Sequence, residues 1–305
     1  MERGFVMPPE RRGPTRTAVA CLVLMLMAAL LSHVRDPSVP ALVEKPAFAV
    51  FAIAYGFSHF PESAIFADAA DSEVVTPFGW LFYALRDSEG AWTLIDAGFH
   101  DDYLRTTEWQ LEEYEDPLRL LEIELGVLAE DVQTLVITHA HADHAGNIGR
   151  FPRATLLTHS HVVQALRDPE NSIHGANETL ERLAAHGRLQ TFSGRWSPAI
   201  PIGKGGHQLR IEHIGGHAKG SCMVWLDGGG NDVAPPLGLF TGDEVYIGRS
   251  LSERRATGTS VNATRSSFVV DEIRKAEARG TRVLTFHEPN VLGAGARNIG
   301  TRRVM

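Results

Sequence analysis

Short apolar runs rich in aromatic and β-branched residues recur along the chain from about residue 47 onwards. Runs of this kind, separated by turn residues, are typical of buried strands. They predict strands at 48–55, 80–85, 92–96, 134–138, 154–158, 208–214, 222–226, 237–241 and 282–286. Turn residues from Asp87 to Gly90 stand between the second and third of these runs and indicate a hairpin.

Apolar residues at helical spacing mark three segments between the strands. They predict helices at 117–128, 178–186 and 266–279. We expect Asp116 to cap the first helix, with Pro117 at its first position, and Gly126 to be a point where it can end early. Strands in two runs with helices between them predict an α/β fold, in which two sheets pack face to face with helices outside.

Composition indicates how large a core the chain can bury and what net charge it carries. With 305 residues and 44% hydrophobic content, the chain can bury a large core, and we expect one catalytic domain over residues 46–305. The net charge of −8 and the lack of a long Lys or Arg run argue against a nucleic acid partner. Cys21 and Cys222, the two cysteines, offer no disulfide framework.

Residues 1–45 follow a different pattern, in which a basic head precedes an uncharged apolar stretch at 17–31. This stretch is shorter than the about 20 residues that a spanning helix needs, and is typical of a secretory signal peptide. No small-x-small cleavage site follows directly, so an uncleaved membrane anchor stays open. We expect a signal peptide or membrane anchor with a linker, and a protein that is exported (periplasmic or extracellular) or membrane-attached. A start codon placed too far upstream would instead leave the protein cytoplasmic.

Seven residues with metal-binding side chains stand near the ends of predicted strands. They are His139, His141, Asp143 and His144 in one string, then His217 after two glycines, Asp243 in Thr-Gly-Asp-Glu and His287 in Phe-His-Glu-Pro. Imidazole and carboxylate suit zinc and related metals at catalytic sites. Seven ligands are too many for one tetrahedral ion but enough for two if one carboxylate bridges, so the count predicts a paired-metal hydrolase site.

The spacing within the first string supports this interpretation. His139 and His141 are two residues apart, so in extended chain their side chains can point the same way and hold one ion. Asp143 and His144 follow where the chain turns into the next helix, and they are expected to face a second ion. A polar loop with histidines by chance is a poor explanation for four ligands within six residues.

The other histidines carry no such signal. His159 and His161 repeat the His-x-His spacing but lack a following Asp-His, and we expect them to be rim or surface residues outside any metal site. Six more histidines have no ligand partner nearby in sequence and receive no role: His59, His100, His174, His186, His207 and His213. Cys222, inside an apolar strand, is expected in the core and not as a nucleophile.

Over about residues 47–293 the chain resembles the metallo-β-lactamase superfamily, through His-x-His-x-Asp-His followed by His, Asp and His. The resemblance implies a four-layer αββα sandwich of two mixed sheets with outer helices, and two Zn²⁺ ions, other divalent metals being possible. Carried over by position, His139, His141 and His217 would hold one ion, Asp143, His144 and His287 the other, and Asp243 would bridge them. Asp96, in a stretch similar to the family's Asp-x-Gly turn, would be structural and not a ligand.

Within the superfamily the chain is most similar to the N-acyl homoserine lactone lactonases and related small-lactone hydrolases. They place a tyrosine three residues beyond the bridging aspartate, where this chain has Tyr246. The resemblance implies a small-molecule lactone substrate and quorum quenching. Tyr246 would donate a hydrogen bond to the substrate carbonyl and Asp143 would relay a proton to the opening ring. An ordinary buried or rim aromatic is the alternative for Tyr246. Ala142, where many of these lactonases have a bulky residue, would admit a different or larger acyl group.

Other branches fit less well. True β-lactamases lack the bridging Asp243, flavodiiron proteins carry an acidic residue in place of His141, and the RNA-processing branch usually has basic or inserted segments. Glyoxalase II enzymes continue into a helical domain, for which too few residues follow His287. Two alternatives stay open. One is another hydrolase on the same site, such as a thioesterase, an amide-ring opener or a weak β-lactamase; the other is a metal-binding scaffold without turnover. The sequence predicts no oligomeric state.

Overall fold

Two mixed β-sheets carry most of the computed structural model, which describes residues 48–70, 74–105, 111–170, 173–229 and 234–305. Their strands are β1 (Phe48–Pro61), β2 (Val75–Asp87), β3 (Trp92–Ile95), β4 (Glu113–Tyr114), β5 (Val132–Val136), β6 (Thr155–His159), β7 (Leu189–Phe192), β8 (Ile200–Pro201), β9 (Gln208–His213), β10 (Cys222–Asp227), β11 (Gly238–Phe240), β12 (Arg282–Leu284) and β13 (Gly300–Arg303). Residues 46–305 form one compact unit. The prediction for residues 1–45 lies outside the described residues.

The first sheet has the order β13-β1-β2-β3-β5-β6-β7, with β4 paired to β1, and the second has the order β12-β11-β10-β9-β8. In the first sheet, β3, β5, β6 and β7 are parallel neighbours. The carboxyl ends of parallel strands meet at one edge of the sheet, so the loops after β5 and β6 leave from the same edge.

Seven helices flank the sheets in the described part of the chain. They are α1 (Glu62–Ile65), α2 (Pro117–Leu125), α3 (Ala142–Ala145), α4 (Ser160–Leu166), α5 (Ala176–Ala185), α6 (Gly248–Glu253) and α7 (Ala263–Ala278). None of the described helices has the length and apolar content that a membrane crossing needs.

Three apolar clusters fill the spaces between these layers. The first packs α2, α4 and α5 against the outer face of the first sheet, through residues such as Leu121, Val162 and Leu180. The second lies between the sheets, and the third packs α6 and α7 on the second sheet through Leu251 and Ile273. Helices therefore cover both outer faces of two packed sheets, and the predicted αββα sandwich is confirmed.

Local chemistry explains where the predicted elements start and stop. The Asp116 carboxylate accepts hydrogen bonds from the backbone N of Leu118 at 2.8 Å and of Arg119 at 3.3 Å, which fixes the start of α2. Gly126, with φ 67°, ends that helix at Leu125 and not at residue 128. Strand β1 runs six residues beyond the predicted Tyr55, because it pairs along its length with β2.

Candidate metal centre

The seven predicted ligands converge at one edge of the two sheets. Four of them come three or four residues after the ends of β5, β9, β11 and β12: His139, His217, Asp243 and His287. His141 immediately precedes α3, and Asp143 and His144 lie on that helix. Their ligand atoms form two groups that share Asp243. We call His139, His141, Asp143, His144, His217, Asp243 and His287 the seven-residue centre.

The first group brings three imidazoles together from two sheets. The Nδ1 atom of His141 lies 3.0 Å from Nε2 of His139 and 3.0 Å from Nε2 of His217. His139 and His217 are buried, whereas His141 is exposed and opens this side to solvent. Three nitrogens from separate rings thus face one point, as a single metal ion requires.

The second group combines one carboxylate with two imidazoles. The Oδ2 atom of Asp143 lies 3.1 Å from Nε2 of His144 and 3.6 Å from Nε2 of His287. All three side chains are buried. This group has the mixed oxygen and nitrogen donors that suit a second divalent ion.

Asp243 stands between the two groups. Its Oδ2 lies 3.6 Å from Nε2 of His139 and 3.5 Å from Nε2 of His217. Its Oδ1 lies 3.1 Å from Nε2 of His144 and 3.1 Å from Nε2 of His287. One carboxylate oxygen therefore faces each group, which is the arrangement a bridging ligand needs.

Backbone carbonyls fix two of the imidazoles from behind. Nδ1 of His217 lies 2.7 Å from the carbonyl oxygen of Thr259, and Nδ1 of His287 lies 2.8 Å from that of Gly79. A carbonyl can only accept, so each Nδ1 carries the proton and each Nε2 keeps its lone pair for the centre.

Asp96 fixes two more imidazoles, one of them through Thr138. Asp96 Oδ2 accepts hydrogen bonds from Nδ1 of His144 and from the hydroxyl of Thr138, each at 2.7 Å. Because that hydroxyl already donates to Asp96, it accepts from Nδ1 of His139 at 3.0 Å. In its neutral form each ring presents a bare Nε2 to the centre, and Asp96 itself is not a member of either ligand group.

Burial keeps two imidazoles of the first group neutral. It lowers the pKa of His139 well below its usual value, and the neighbouring His144 adds to this effect. Burial also lowers the pKa of His217 to about 4. Neutral imidazole is the form that binds metal, so these rings need lose no proton at neutral pH.

The second group favours positive charge at its centre. Burial alone would raise the pKa of Asp243, but His144 and His287 outweigh it and hold that pKa well below its usual range. Burial alone would lower the pKa of His144, but Asp243 and Asp143 outweigh it and raise that pKa well above 6.5. A cation placed among these carboxylates is strongly favoured, whether it is a proton or a metal ion.

One buried atom shows that the residues fit a metal. Nε2 of His144 is buried and lies 3.1 Å from an oxygen of Asp143 and 3.1 Å from an oxygen of Asp243, without hydrogen-bond geometry to either. A metal ion at this point would bind the imidazole nitrogen and both carboxylates. The donor set and its orientation therefore fit two divalent ions.

A cavity of about 240 Å³ opens onto the seven-residue centre. Its walls combine metal-binding side chains with apolar ones, and they comprise Phe60, Ala64, Ile65, Phe78, Trp80, His141, Asp143, His217, Asp243, Tyr246, Thr259 and His287. Tyr246 is 7% exposed, and its hydroxyl lies 3.5 Å from Nδ1 of His217. Burial and the Asp243 charge raise the pKa of Tyr246 well above 10, so its hydroxyl keeps its proton.

Three sequence predictions about other residues can be compared with the structure. The prediction that His159 lies at the rim or surface is wrong, because the residue ends β6 and is only 2% exposed; His161 is half-buried. Cys222 is fully buried in the core between the sheets, as predicted. Ala142 packs in the first apolar cluster and is not among the residues that line the cavity, and its effect on the size of the acyl group stays a prediction.

Sequence reasoning missed Glu244, which holds the loop that carries His217. Its two carboxylate oxygens accept hydrogen bonds from the backbone N of Gly216 at 3.0 Å and of His217 at 3.2 Å. The hydroxyl of Ser221 also donates to it. Burial raises the pKa of Glu244, although these three hydrogen bonds act to lower it. Its place next to Asp243 in sequence was the available signal, but its separation from His217 by 27 positions hid the contact.

Comparisons with known proteins agree with this geometry. The model of the metallo-β-lactamase superfamily matches residues 77–279. A probable metallo-hydrolase of Mycobacterium tuberculosis is 28% identical over 184 residues, which cover 55% of this chain and 56% of the relative. The N-acyl homoserine lactonase AttM of Azorhizobium caulinodans is 29% identical over 169 residues, covering 54% of this chain and 62% of the relative. The chain thus spans little more than half the length of these curated relatives.

Solved structures share the fold at low sequence identity. A quorum-quenching N-acyl homoserine lactone lactonase has a TM-score of 0.60 and 15% identity, covering 79% of this chain and 92% of that one. AidC, a dizinc quorum-quenching lactonase in complex with a product, has a TM-score of 0.58 and 14% identity, covering 84% and 94%. Because the family model matches more than half of the chain and the fold agrees, this protein belongs to the metallo-β-lactamase superfamily.

Proposed function

We propose that this protein is a dinuclear zinc hydrolase that opens lactone rings, of N-acyl homoserine lactones or related small lactones. The observation that carries the proposal is the placement of Asp243, whose two oxygens face separate ligand groups at the floor of a cavity. The relative AttM is named an N-acyl homoserine lactonase, and a structural neighbour was solved with N-hexanoyl-L-homoserine at its catalytic metal centre. These likenesses favour a lactone over other substrates of such a centre.

The seven-residue centre would hold the two ions, with Asp243 shared between them. When bound, two divalent cations lower the pKa of a water molecule and polarise a carbonyl oxygen, so that a nucleophile exists near neutral pH. The chain's own residues then decide which carbonyl arrives there and how charge is stabilised.

Tyr246 is placed to stabilise that charge. Its hydroxyl lies in the same cavity as the ligands and keeps its proton at neutral pH. As the lactone carbonyl is attacked, negative charge develops on its oxygen, and a protonated hydroxyl can donate a hydrogen bond to it. The same hydroxyl contributes little while the carbonyl is uncharged, so it assists turnover more than binding.

Asp143 is the side chain placed to move a proton. Its carboxylate lines the cavity beside the second ligand group. When the ring C–O bond breaks, the departing oxygen needs a proton, and the attacking water has one to give up. A carboxylate beside both atoms can take the proton from the water and pass it to the ring oxygen, which leaves an open hydroxy acid.

Apolar side chains on one side of the cavity suit the acyl part of such a substrate. Phe60, Ala64 and Ile65 come from the end of β1 and from α1, and Phe78 and Trp80 come from β2. An acyl chain that enters this side removes apolar surface from water, by about 25 cal/mol for each Å² buried. The volume of about 240 Å³ fits a small acyl lactone better than a large ligand.

Turnover on a panel of small substrates tests the proposal. The zinc-loaded protein should open N-acyl homoserine lactones faster than it cleaves thioesters, cyclic amides or β-lactams. Faster thioester or amide cleavage would assign the alternative hydrolase class to the same centre. No turnover on any of these substrates, with both ions bound, would favour a metal-binding scaffold without catalysis.

We also propose that residues 1–45 export the protein or attach it to a membrane. Their basic head and apolar stretch support this placement. Fractionation of native cells should find the catalytic domain beyond the cytoplasmic membrane or bound to it. Full-length protein found only in the cytosol would contradict the proposal.

A further inference from the structure

Three histidines outside the seven-residue centre lie close together. His159 ends β6, His161 lies on α4 and His213 ends β9. One ring nitrogen of each lies within 4.8 Å of the others, and no Asp or Glu belongs to the group. We call His159, His161 and His213 the three-histidine group.

The three-histidine group resembles the first ligand group in the sheet positions from which its histidines come. In the first ligand group the His-x-His pair begins at His139, shortly after β5. In the three-histidine group it begins at His159, the last residue of β6. Because β5 and β6 are parallel neighbours, both pairs lie at the same edge of the first sheet. The third imidazole comes in both cases from the second sheet at the end of β9, through His217 or His213.

Ring orientations also correspond, with one exception. In the first ligand group each pair of rings is nearly perpendicular, at 78°, 85° and 89°, with centroids 4.6–4.9 Å apart. His161 is likewise inclined at 77° to His159 and at 77° to His213, with centroids 4.8 Å and 5.4 Å away. His159 and His213, however, are stacked at 4.0 Å with 3° between their planes.

A shared ion requires this stacked pair to separate. An ion bound to an imidazole nitrogen lies near the plane of that ring, so two parallel stacked rings cannot bind the same ion. His213 is half-buried and so has freedom to turn about its side-chain bonds. Gly215 lies beside its Nε2, where a Cβ would stand only 3.3 Å away, and the missing side chain leaves room for that turn.

The chemistry of His159 supports a ligand. Its ring is 2% exposed, and Nδ1 accepts a hydrogen bond from the backbone N of His161 at 3.2 Å, so the neutral ring carries its proton on Nε2. The lone pair that an ion would take is therefore the one on Nδ1, in place of this hydrogen bond. Burial and, to a smaller degree, the charge of His161 lower the pKa of His159, although the hydrogen bond to the Gly194 backbone acts in the opposite direction. Burial also lowers the pKa of His213 to about 4. Both rings are therefore neutral at pH 7, the form that binds metal.

We propose that His159, His161 and His213 form a further binding site for one divalent transition-metal ion, separate from the seven-residue centre. Three imidazole nitrogens and no carboxylate select zinc or copper over magnesium or calcium, which prefer oxygen. His213 and His217 lie four residues apart on the chain that leaves β9. An ion bound here would tie that chain to the edge of the first sheet and so help to position His217.

Metal counting on the full-length protein tests this site. Wild type, His161→Gln and His213→Gln would be dialysed against micromolar Zn²⁺, and zinc per chain would be measured by elemental analysis. Each variant should hold one ion fewer than wild type. His186→Gln, which changes an exposed histidine at the end of α5, should bind as many ions as wild type. The readout is a difference, so it does not depend on lactonase activity or on the number of ions in the seven-residue centre.

Equal zinc content in wild type and in both variants would overturn the proposal, provided that circular dichroism shows all of them folded. A second measurement uses Cu²⁺ in place of zinc. Copper-loaded wild type should give an electron paramagnetic resonance signal with coupling to three imidazole nitrogens in addition to the signals of copper-loaded His161→Gln. Identical spectra from the two proteins would contradict the site.

Discussion

Asp96 Oδ2 accepts a hydrogen bond from Nδ1 of His144 at 2.7 Å, on the side of the imidazole opposite the metal-binding Nε2. Asp96 is fully buried and adopts a φ of 63°, a conformation that side chains other than glycine, asparagine and aspartate rarely take. The same oxygen holds Thr138, which in turn orients His139. One carboxylate that binds no ion in our proposal therefore orients an imidazole in each ligand group.

Asp96→Asn should weaken metal binding without removing a ligand. Asparagine keeps the size of the side chain and tolerates the positive φ, but it has one oxygen where the carboxylate has two acceptors. Losing such an outer hydrogen bond typically weakens metal affinity about 10- to 100-fold. Competition with a chromophoric chelator measures the change. Asp271→Asn, on the exposed face of α7, is the matched control and should bind as wild type does; equal affinity in the Asp96 variant would contradict the role of Asp96.

Tyr246→Phe should lower turnover and leave metal content unchanged. The hydroxyl faces charge that develops only during the reaction, so the loss should appear mainly in kcat. We expect roughly a tenfold loss or more on the preferred lactone, below the about 10²–10³ seen where such a donor acts alone. Steady-state kinetics with matched zinc content measures it.

Tyr103→Phe is the control for this substitution. The Tyr103 hydroxyl accepts a hydrogen bond from the backbone N of His174, and the residue does not line the cavity. Its kcat should equal that of wild type. Unchanged kinetics in Tyr246→Phe on every lactone would reduce Tyr246 to a packing residue.

The metal-free protein should lose stability as the pH falls from about 6.5 to about 4. His213 stays neutral in the folded state down to about pH 4, whereas in the unfolded chain it binds a proton near its ordinary pKa of about 6.5. Between about pH 6.5 and about pH 4 the unfolded state binds more protons than the folded state, so the free energy of unfolding decreases. The contribution is present in full above pH 6.5 and is lost on acidification.

Urea unfolding of the chelated protein at pH 7 and at pH 5 measures this effect. His213→Gln should lose less unfolding free energy between the two pH values than wild type. Because His213 is half-buried, the difference should be a fraction of the about 1.4 kcal/mol per pH unit that one full proton gives. An identical loss in both proteins would show that the pKa of His213 is not lowered.

Periodicity predicted the central strands and the three long helices, because their residues are apolar on the faces they bury. It did not predict β13, whose sequence Gly-Thr-Arg-Arg has no apolar pattern. This strand forms by backbone pairing with Phe51 to Ala54 of β1, and backbone pairing is independent of side-chain type. Strand β12 also ends at Leu284, so His287 lies three residues further on and not at the strand end.

The sequence signal for metal binding was strong where ligands were close together and weak where they came from different sheets. His139 to His144 stand out within six residues, and the structure places them with His217, Asp243 and His287. His159 and His213 are 54 residues apart, and only the packing of β6 against the end of β9 makes them neighbours. Contacts made by the packing of two sheets leave no periodic trace in either segment, which is why the burial of His159 was not predicted.

In the proposed function, the seven-residue centre opens a lactone only when it holds two ions, with Asp243 shared between them. The most direct test of this claim is the rate of N-acyl homoserine lactone hydrolysis, followed by proton release, as metal-free protein receives increasing equivalents of Zn²⁺. The rate should be negligible without zinc and should keep rising until two ions per chain are bound to the seven-residue centre. A rate that reaches its maximum at one equivalent, or no lactone opening at any loading, would contradict the account.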